Sequence, residues 1–220
     1  MNPENSPRTP SPGFRVCGFP FGCGCILLAV LGFVAPGTAC ELPPLRDPGR
    51  PRIVYRLEGG QGQVRFDAQA FMHEFTGKTS KVQGMIRLAD PDRLAEAEAC
   101  FRVDAASLDT DNGTRDDIMR KDHLETASFP TMKFRLKNVE RITHQAGGWE
   151  FGARGTLSLH GVAREILLPI RARQEEGSVR LTGDIPLKMT DYRIRIPKFL
   201  FFSVEDQLVV SFDVIARRVQ

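Results

Sequence analysis

Apolar and polar residues alternate along most of the chain from Ile53 onward. In each such stretch every second residue is apolar, as in a strand with one buried and one exposed face. The clearest stretches cover residues 64–68, 99–105, 132–137, 151–159, 166–172, 179–187 and 208–216. We therefore expect an all-β domain over residues 53–217.

Short turn sequences separate several of these stretches. Gly147-Gly148, His160-Gly161 and Glu176-Gly177 each lie between two of them, and residues of these types favour tight turns. Parallel neighbours would need crossovers of a dozen or more residues, so short connections predict antiparallel pairing. Strands in this number within one domain form a sandwich or a closed barrel.

One segment departs from the alternation. Acidic residues follow Thr114 directly, and this arrangement favours a helix that begins with Thr114 as its N-cap. Ile118 and Met119 supply a short apolar stripe, and Pro130 limits the helix on its C-terminal side. We expect one short helix here, covering an open end of the sheet.

The first 39 residues are typical of an export signal. Residues 25–34 carry no charge, and this length matches the apolar part of a signal peptide but is shorter than the roughly 20 residues that cross a bilayer. Small residues at 37–39 then suggest cleavage. An uncleaved anchor is the alternative, since residues 16–35 are also uncharged. We expect a signal peptide over residues 1–39 and an exported, periplasmic or cell-envelope protein.

Cys40 has two alternative roles. A cysteine directly after such small residues resembles the acylated cysteine of a bacterial lipoprotein, although Gly37 stands where leucine is usual. Lipidation of Cys40 would tether the domain to a membrane through a proline-rich linker at residues 40–52. The alternative is a disulfide with Cys100, because exported proteins form such bonds. The sequence leaves both roles open.

Composition and charge argue against several classes of function. The formal net charge is only +3, which is too small for a protein that binds nucleic-acid backbones. The 4 His are scattered without a Cys or His at ligand spacing, so we expect no metal site. Ser158 lacks the Gly-x-Ser-x-Gly setting of a hydrolase nucleophile. We predict no enzymatic activity; catalysis by the charged residues 115–123 is a third alternative.

A set of short motifs occurs in order along the chain: Ser107-Leu-Asp-Thr110, Arg115-Asp116, Phe129-Pro130 and Gly155-Thr-Leu-Ser-Leu-His-Gly-Val162. Their order and spacing resemble the YceI-like, lipocalin-like domain family of exported bacterial proteins over about residues 53–217. One departure is Arg193, where relatives commonly carry Gly. The resemblance implies an eight-stranded antiparallel barrel with a lengthwise apolar pocket, no metal, no catalysis and no cofactor. It implies ligands such as polyisoprenoids, isoprenoid quinones or fatty-acid-like lipids.

The aromatic residues agree with an apolar ligand. The chain holds 15 Phe beside 2 Tyr and 1 Trp, so nearly all of its rings lack a hydrogen-bonding group. From strand parity we predict that the ligand-binding pocket is lined by Phe66, Phe75, Phe101, Phe134, Leu136, Phe151 and Leu157. The leading hypothesis is an exported lipid carrier. The alternative is a packed envelope β-domain that contacts other proteins without a ligand; the sequence leaves open whether the chain forms a homodimer.

Overall fold

The computed structural model describes residues 40, 42, 52–70, 73–90, 93–199 and 202–219. Its strands are β1 (Ile53–Leu57), β2 (Gly62–Ala70), β3 (His73–Thr79), β4 (Val82–Leu88), β5 (Glu98–Asp104), β6 (Thr131–Gln145), β7 (Gly148–Leu159), β8 (Val162–Glu175), β9 (Ser178–Lys188), β10 (Lys198–Phe199) and β11 (Phe202–Arg218). One short helix, α1 (Gly113–Ile118), continues into a π turn at Met119–His123. The stretches of alternating residues fall on β2, β5, β6, β7, β8, β9 and β11, as the hydrophobic pattern predicts.

The strands close into an antiparallel barrel. Around the circumference, β4 is followed by β5, β6, β7, β8, β9 and β11. β11 then pairs with β2 along residues 204–214 and with β1 at residues 217–218, so β1 and β2 together act as one interrupted strand. β3 and β4 form the next one, because β3 pairs with β2 and β4 with β1. Counted in this way, eight strands close the barrel, and the predicted fold is confirmed.

The two ends of the barrel differ. The tight turns between β6 and β7 and between β8 and β9 lie at one end, which we call the hairpin end. α1 and the loop after β9 lie at the other end, which we call the helix end. Here Met189, Tyr192 and Ile194 form a small buried cluster, and Leu124 from the segment after α1 packs against it. This cluster covers part of the helix end, on the side of β7, β8, β9 and β11.

α1 begins two residues earlier than the sequence predicts. The N-cap is Asn112, whose backbone is extended and whose side chain accepts a hydrogen bond from the Arg115 amide at 3.0 Å. The prediction of Thr114 as the N-cap is therefore wrong. Asn is at least as good an N-cap as Thr, and with Asn112 in this position Thr114 lies inside the first turn.

Arg193 occupies a backbone conformation that favours glycine. It ends a short 3-10 turn at Thr190–Tyr192 with a φ of 58°, and its amide donates to the Thr190 carbonyl at 3.1 Å. A left-handed conformation is unfavourable for residues with a Cβ atom. Arg193 therefore fills a turn position that favours glycine, and it does so at some loss of stability.

A disulfide joins Cys40 to Cys100, with 5.7 Å between the two Cα atoms. Ala99 and Phe101 on β5 face the barrel interior, so Cys100 between them points outward, although its side chain is 0% exposed. A sulfur in this bond cannot also carry a lipid. Acylation of Cys40, and the membrane tether, therefore stay predictions that require the bond to be absent.

The predicted signal peptide lies outside the described residues, as does most of the predicted linker at residues 40–52. Within the described part of the chain, no helix is long and apolar enough to span a membrane.

Candidate functional site

Two apolar cavities lie inside the barrel. The first, which we call the hairpin chamber, has a volume of about 70 Å³. The second, the helix chamber, has a volume of about 140 Å³. Both are far larger than the roughly 10–15 Å³ that a single water molecule needs. The interior is therefore not filled by its own side chains, which argues against the packed β-domain that the sequence left as the alternative.

Most of the walls of both chambers are aliphatic or aromatic. The hairpin chamber is lined by Tyr55, Ile86, Leu88, Leu94, Ala97, Ala99, Leu136, Val139, Trp149, Phe151, Ala153, Ala172, Gln174 and Val179. The helix chamber is lined by Val64, Val82, Val103, Met132, Lys133, Leu157, Ile166, Leu168, Ile185, Leu187, Val210, Phe212 and Val214. Lys133 is the single charged residue among these described lining residues. Such walls suit hydrocarbon and offer almost nothing to a charged group.

Four residues line both chambers and therefore lie between them: Phe101, Phe134, Ile170 and Leu181. We call this set the partition. It consists of side chains alone, and Phe134 is the bulkiest of its buried members at 9% exposure. Because side chains change rotamer without disturbing the sheet, a ligand that displaces the partition can occupy both chambers.

Three of the phenylalanine rings that line the chambers each lie over a glycine of the neighbouring strand. The pairs are Phe101 with Gly84, Phe134 with Gly155, and Phe212 with Gly183. A Cβ atom at any of these glycines would overlap its ring. The missing side chains therefore let the rings lie against the barrel wall, and this arrangement keeps space free along the axis.

The structure brings five of the seven predicted lining residues to the chambers. Phe101 and Phe134 line both of them, Leu136 and Phe151 line the hairpin chamber, and Leu157 lines the helix chamber. Whether these residues contact a ligand stays a prediction.

Phe66 and Phe75 line neither chamber. Their rings meet edge to face with 6.2 Å between centroids, and the Arg115 guanidinium lies 4.6 Å from the centre of the Phe75 ring. Strand parity assigns Phe66 to the interior face, beside Ala68 and opposite Val210 on β11. It does not show which of the inward-facing side chains border the cavities, and neither of these two rings does.

The prediction from the sequence missed most of the aliphatic residues that line the two chambers. It also missed Trp149 and Gln174, two lining residues of the hairpin chamber that carry polar groups. Val210, Phe212 and Val214 belong to the alternating stretch of β11, so their parity was available. Trp149 and Gln174 continue the inward-facing rows of β7 and β8 towards the turns, and the same parity indicates both.

The charged cluster around α1 supports local structure. Asp116 is buried and accepts hydrogen bonds from the Thr110 hydroxyl at 2.6 Å and the Thr110 amide at 3.0 Å. Burial acts to raise the pKa of Asp116, but these hydrogen bonds and the nearby Arg120 outweigh it and hold the pKa below its usual 3.8. Arg115 donates to the same threonine at 2.7 Å. These contacts explain Asp116 and Arg115 as residues that hold the local structure together, and they do not point to a reaction.

No group of three or more His, Cys, Asp or Glu side chains close enough to hold a metal ion occurs among the described residues. Charged pairs lie instead on the outer surface of the barrel. Glu140 accepts a hydrogen bond from Arg154 at 2.5 Å, and this bond is the main reason that the pKa of Glu140 falls to about 2. Asp213 similarly pairs with Arg180 across β9 and β11. The barrel thus has a charged exterior around an apolar, partly empty interior.

A closed eight-stranded antiparallel barrel with an apolar lumen places the protein in the class of lipocalin-like barrels. The sequence model of the YceI-like domain matches residues 55–216. The chain therefore belongs to the YceI-like domain family, as its motifs indicate.

Solved structures share this fold. BcnA from Burkholderia cenocepacia superposes with a TM-score of 0.62 at 17% sequence identity, covering 72% of this chain and 98% of the other. A polyisoprenoid binding domain from Saccharophagus degradans, implicated in plant cell wall breakdown, superposes with a TM-score of 0.59 at 18% identity, covering 74% and 98%. Identities this low establish the fold alone. Among curated protein sequences, none matches the chain.

Proposed function

We propose that this protein is an exported carrier that sequesters one long apolar molecule inside its barrel. The observation that carries this proposal is the pair of apolar chambers, which are separated by the side chains of the partition and by no backbone. A single chain that displaces the partition would fill both chambers at once. A catalytic role has no comparable support in the site.

The energetics favour a hydrocarbon ligand. Burial of apolar surface contributes about 0.8 kcal/mol per methylene group, so a prenyl or acyl chain binds strongly without polar contacts. The hairpin chamber has no charged residue among its described lining residues. A charged head group would lose its hydration there without a partner, so a ligand with such a group would keep it outside this chamber.

The ligand class that we propose is a polyisoprenoid, an isoprenoid quinone or a fatty-acid-like lipid. The shared fold of the polyisoprenoid binding domain from Saccharophagus degradans supports this choice. The alternatives within the class differ in their head groups and share a long, flexible hydrocarbon part. The apolar chambers are suited to that shared part.

We also propose that the chain acts in the periplasm or at the cell envelope. The uncharged run at residues 25–34 supports export. The Cys40–Cys100 disulfide agrees with it, because such bonds persist in oxidising compartments outside the cytosol. In the disulfide-bonded form we expect the carrier to be free of a lipid anchor at Cys40.

Solvent extraction and native mass spectrometry of the purified, exported protein test the carrier proposal. We expect about one lipid per chain, and we expect Phe134→Asp to remove it because the charge would lie between the two chambers. Phe75→Leu is the matched control, since this ring lines neither chamber, and it should retain the lipid. Circular dichroism verifies that both variants are folded.

The opposite result would be a wild-type protein without lipid that also fails to take up added geranylgeraniol. The chambers would then be empty space without a function. The domain would be better explained as an envelope module for protein–protein contacts.

A further inference from the structure

The hydrogen-bonded ladder between β8 and β9 is incomplete. Backbone pairing between these two strands covers only residues 171–175 of β8 and 178–182 of β9, next to their turn. β8 stays paired to β7 over its whole length, and β9 stays paired to β11 from Ser178 to Lys188. The helix-end halves of β8 and β9 therefore face each other without a described ladder. We call this gap the slit.

Two prolines explain why the ladder stops. Amide groups point alternately to the two sides of a strand. The Gln174 amide donates to Gly147 on the β7 side, so the nitrogen of Pro169, five residues earlier, faces β9. The position of the Pro169 carbonyl oxygen beside Gly183 agrees with this direction.

The same reasoning applies to the other edge of the slit. The Met189 amide donates to the Asp206 carbonyl at 2.9 Å on the β11 side, so the nitrogen of Pro186, three residues earlier, faces β8. Proline has no N–H to donate. Each edge of the slit therefore lacks a donor where the ladder would otherwise continue.

The slit leads directly to the helix chamber. Ile166 and Leu168 on β8 and Ile185 and Leu187 on β9 line that chamber from the two sides of the slit, and all four are partly exposed although they face inward. At the far end the slit is bounded by Arg164 on β8. Its Nε donates to the Asp191 carbonyl at 2.6 Å.

We infer that the slit is the lateral portal through which an apolar chain enters the helix chamber. This inference rests on the proposed carrier function. Prolines on both edges also oppose the addition of a strand from another protein, because a partner strand would find no donor at these positions. Passage of a flexible ligand needs no such donor, and the apolar residues on both edges suit it.

Amide hydrogen exchange of the ligand-free protein tests the slit itself. By alternation, the Leu167 amide faces the slit and the Leu168 amide faces β7. We expect exchange at Leu167 to be at least roughly a hundredfold faster than at Leu168, since only the latter has a strand partner. Equal, strong protection of both amides would mean that the ladder is closed, and it would overturn the inference.

Uptake kinetics test the portal. The double variant Pro169→Val/Pro186→Val restores both N–H donors, and we expect it to take up farnesol at least roughly tenfold more slowly than wild type. The final occupancy after long incubation should be unchanged, as measured by native mass spectrometry. Pro197→Val is the control, because this proline lies outside the slit, and its uptake rate should equal that of wild type.

The outcomes separate the two proposals. An unchanged uptake rate in a double variant that protects its Leu167 amide would overturn the portal and leave the carrier intact. A wild-type protein that takes up no farnesol would overturn both, whatever its exchange pattern. If the double variant fails to fold, Pro169→Val alone is measured in the same way.

Discussion

The substitution Gly84→Ala tests whether the glycines under the rings keep the lumen open. A Cβ atom at this position would lie 2.8 Å from Cε1 of Phe101, closer still to Cδ1, and 2.9 Å from the Cys100 carbonyl oxygen. Carbon atoms in favourable contact are about 3.5–4.0 Å apart, so the ring has to withdraw by at least about 0.7 Å. The lumen is the open side, and the ring therefore moves into it.

The magnitude follows from the position of Phe101 in the partition. A ring that moves towards the axis reduces both chambers, because it lines both. If the bound chain loses contacts equivalent to two methylene groups, the affinity falls by about 1.6 kcal/mol, or roughly fifteenfold. Overpacking of this kind lowers the free energy of unfolding by about 1–3 kcal/mol, which leaves a folded protein to measure.

The assay compares the affinities of the prenols geraniol, farnesol and geranylgeraniol for wild type and variant. We expect the longest prenol to lose the most affinity, because its greater length requires it to pass the partition, and geraniol, the shortest, to lose the least. Gly113→Ala is the matched control, since nothing lies within 4 Å of a Cβ atom placed there. Adding Phe101→Ala to Gly84→Ala should restore affinity for the longest prenol, because it removes the ring that overlaps the new Cβ atom.

An unchanged affinity for geranylgeraniol in a folded Gly84→Ala protein would refute this reasoning. The glycine would then have no part in keeping the lumen open. A loss of the same size for all three prenols would point to general destabilisation of the barrel.

Three further substitutions test stability. Cys40→Ser opens a disulfide loop with a sequence separation of 60, and we expect it to lower the free energy of unfolding by about 4 kcal/mol. Urea unfolding should show this loss. A reductant should shift the unfolding midpoint of wild type to that of the variant and leave the midpoint of the variant unchanged. Asp116→Asn should lower stability at pH 7 by about 1–3 kcal/mol. Because the folded pKa of Asp116 is depressed, its contribution is present above the unfolded pKa and is lost as the pH falls through the folded value, so variant and wild type should converge in acid unfolding curves. Arg193→Gly should raise the melting temperature by relieving the φ of 58°, with a gain of about 1 kcal/mol; a lower melting temperature would contradict this account.

The strands could be predicted from the sequence because each barrel strand has one apolar and one polar face. The parity of Phe101, Phe134 and Leu157 was enough to direct them inward. It could not separate them from Phe66 and Phe75, which share the interior direction but line neither chamber. Which inward-facing residues border a cavity depends on the register between neighbouring strands, and the alternation within one strand does not show that register.

Other features depend on contacts between distant parts of the chain. Cys40 and Cys100 are 60 residues apart, and no local pattern shows that they meet. The role of Gly84 was equally hidden, because a glycine within a strand predicts a bulge as readily as a ring packed above it. Pro169 and Pro186 were visible, but their common gap follows only from the order of the strands.

The Cys40–Cys100 bond also fixes the position of residue 40 on the barrel. Residue 40 is held at the outer surface of β5 and not at β1, where the strands of the barrel begin. In the ring of eight strands, the gap between β8 and β9 lies almost diametrically across from β5. Residue 40 and the slit therefore lie on nearly opposite flanks of the barrel.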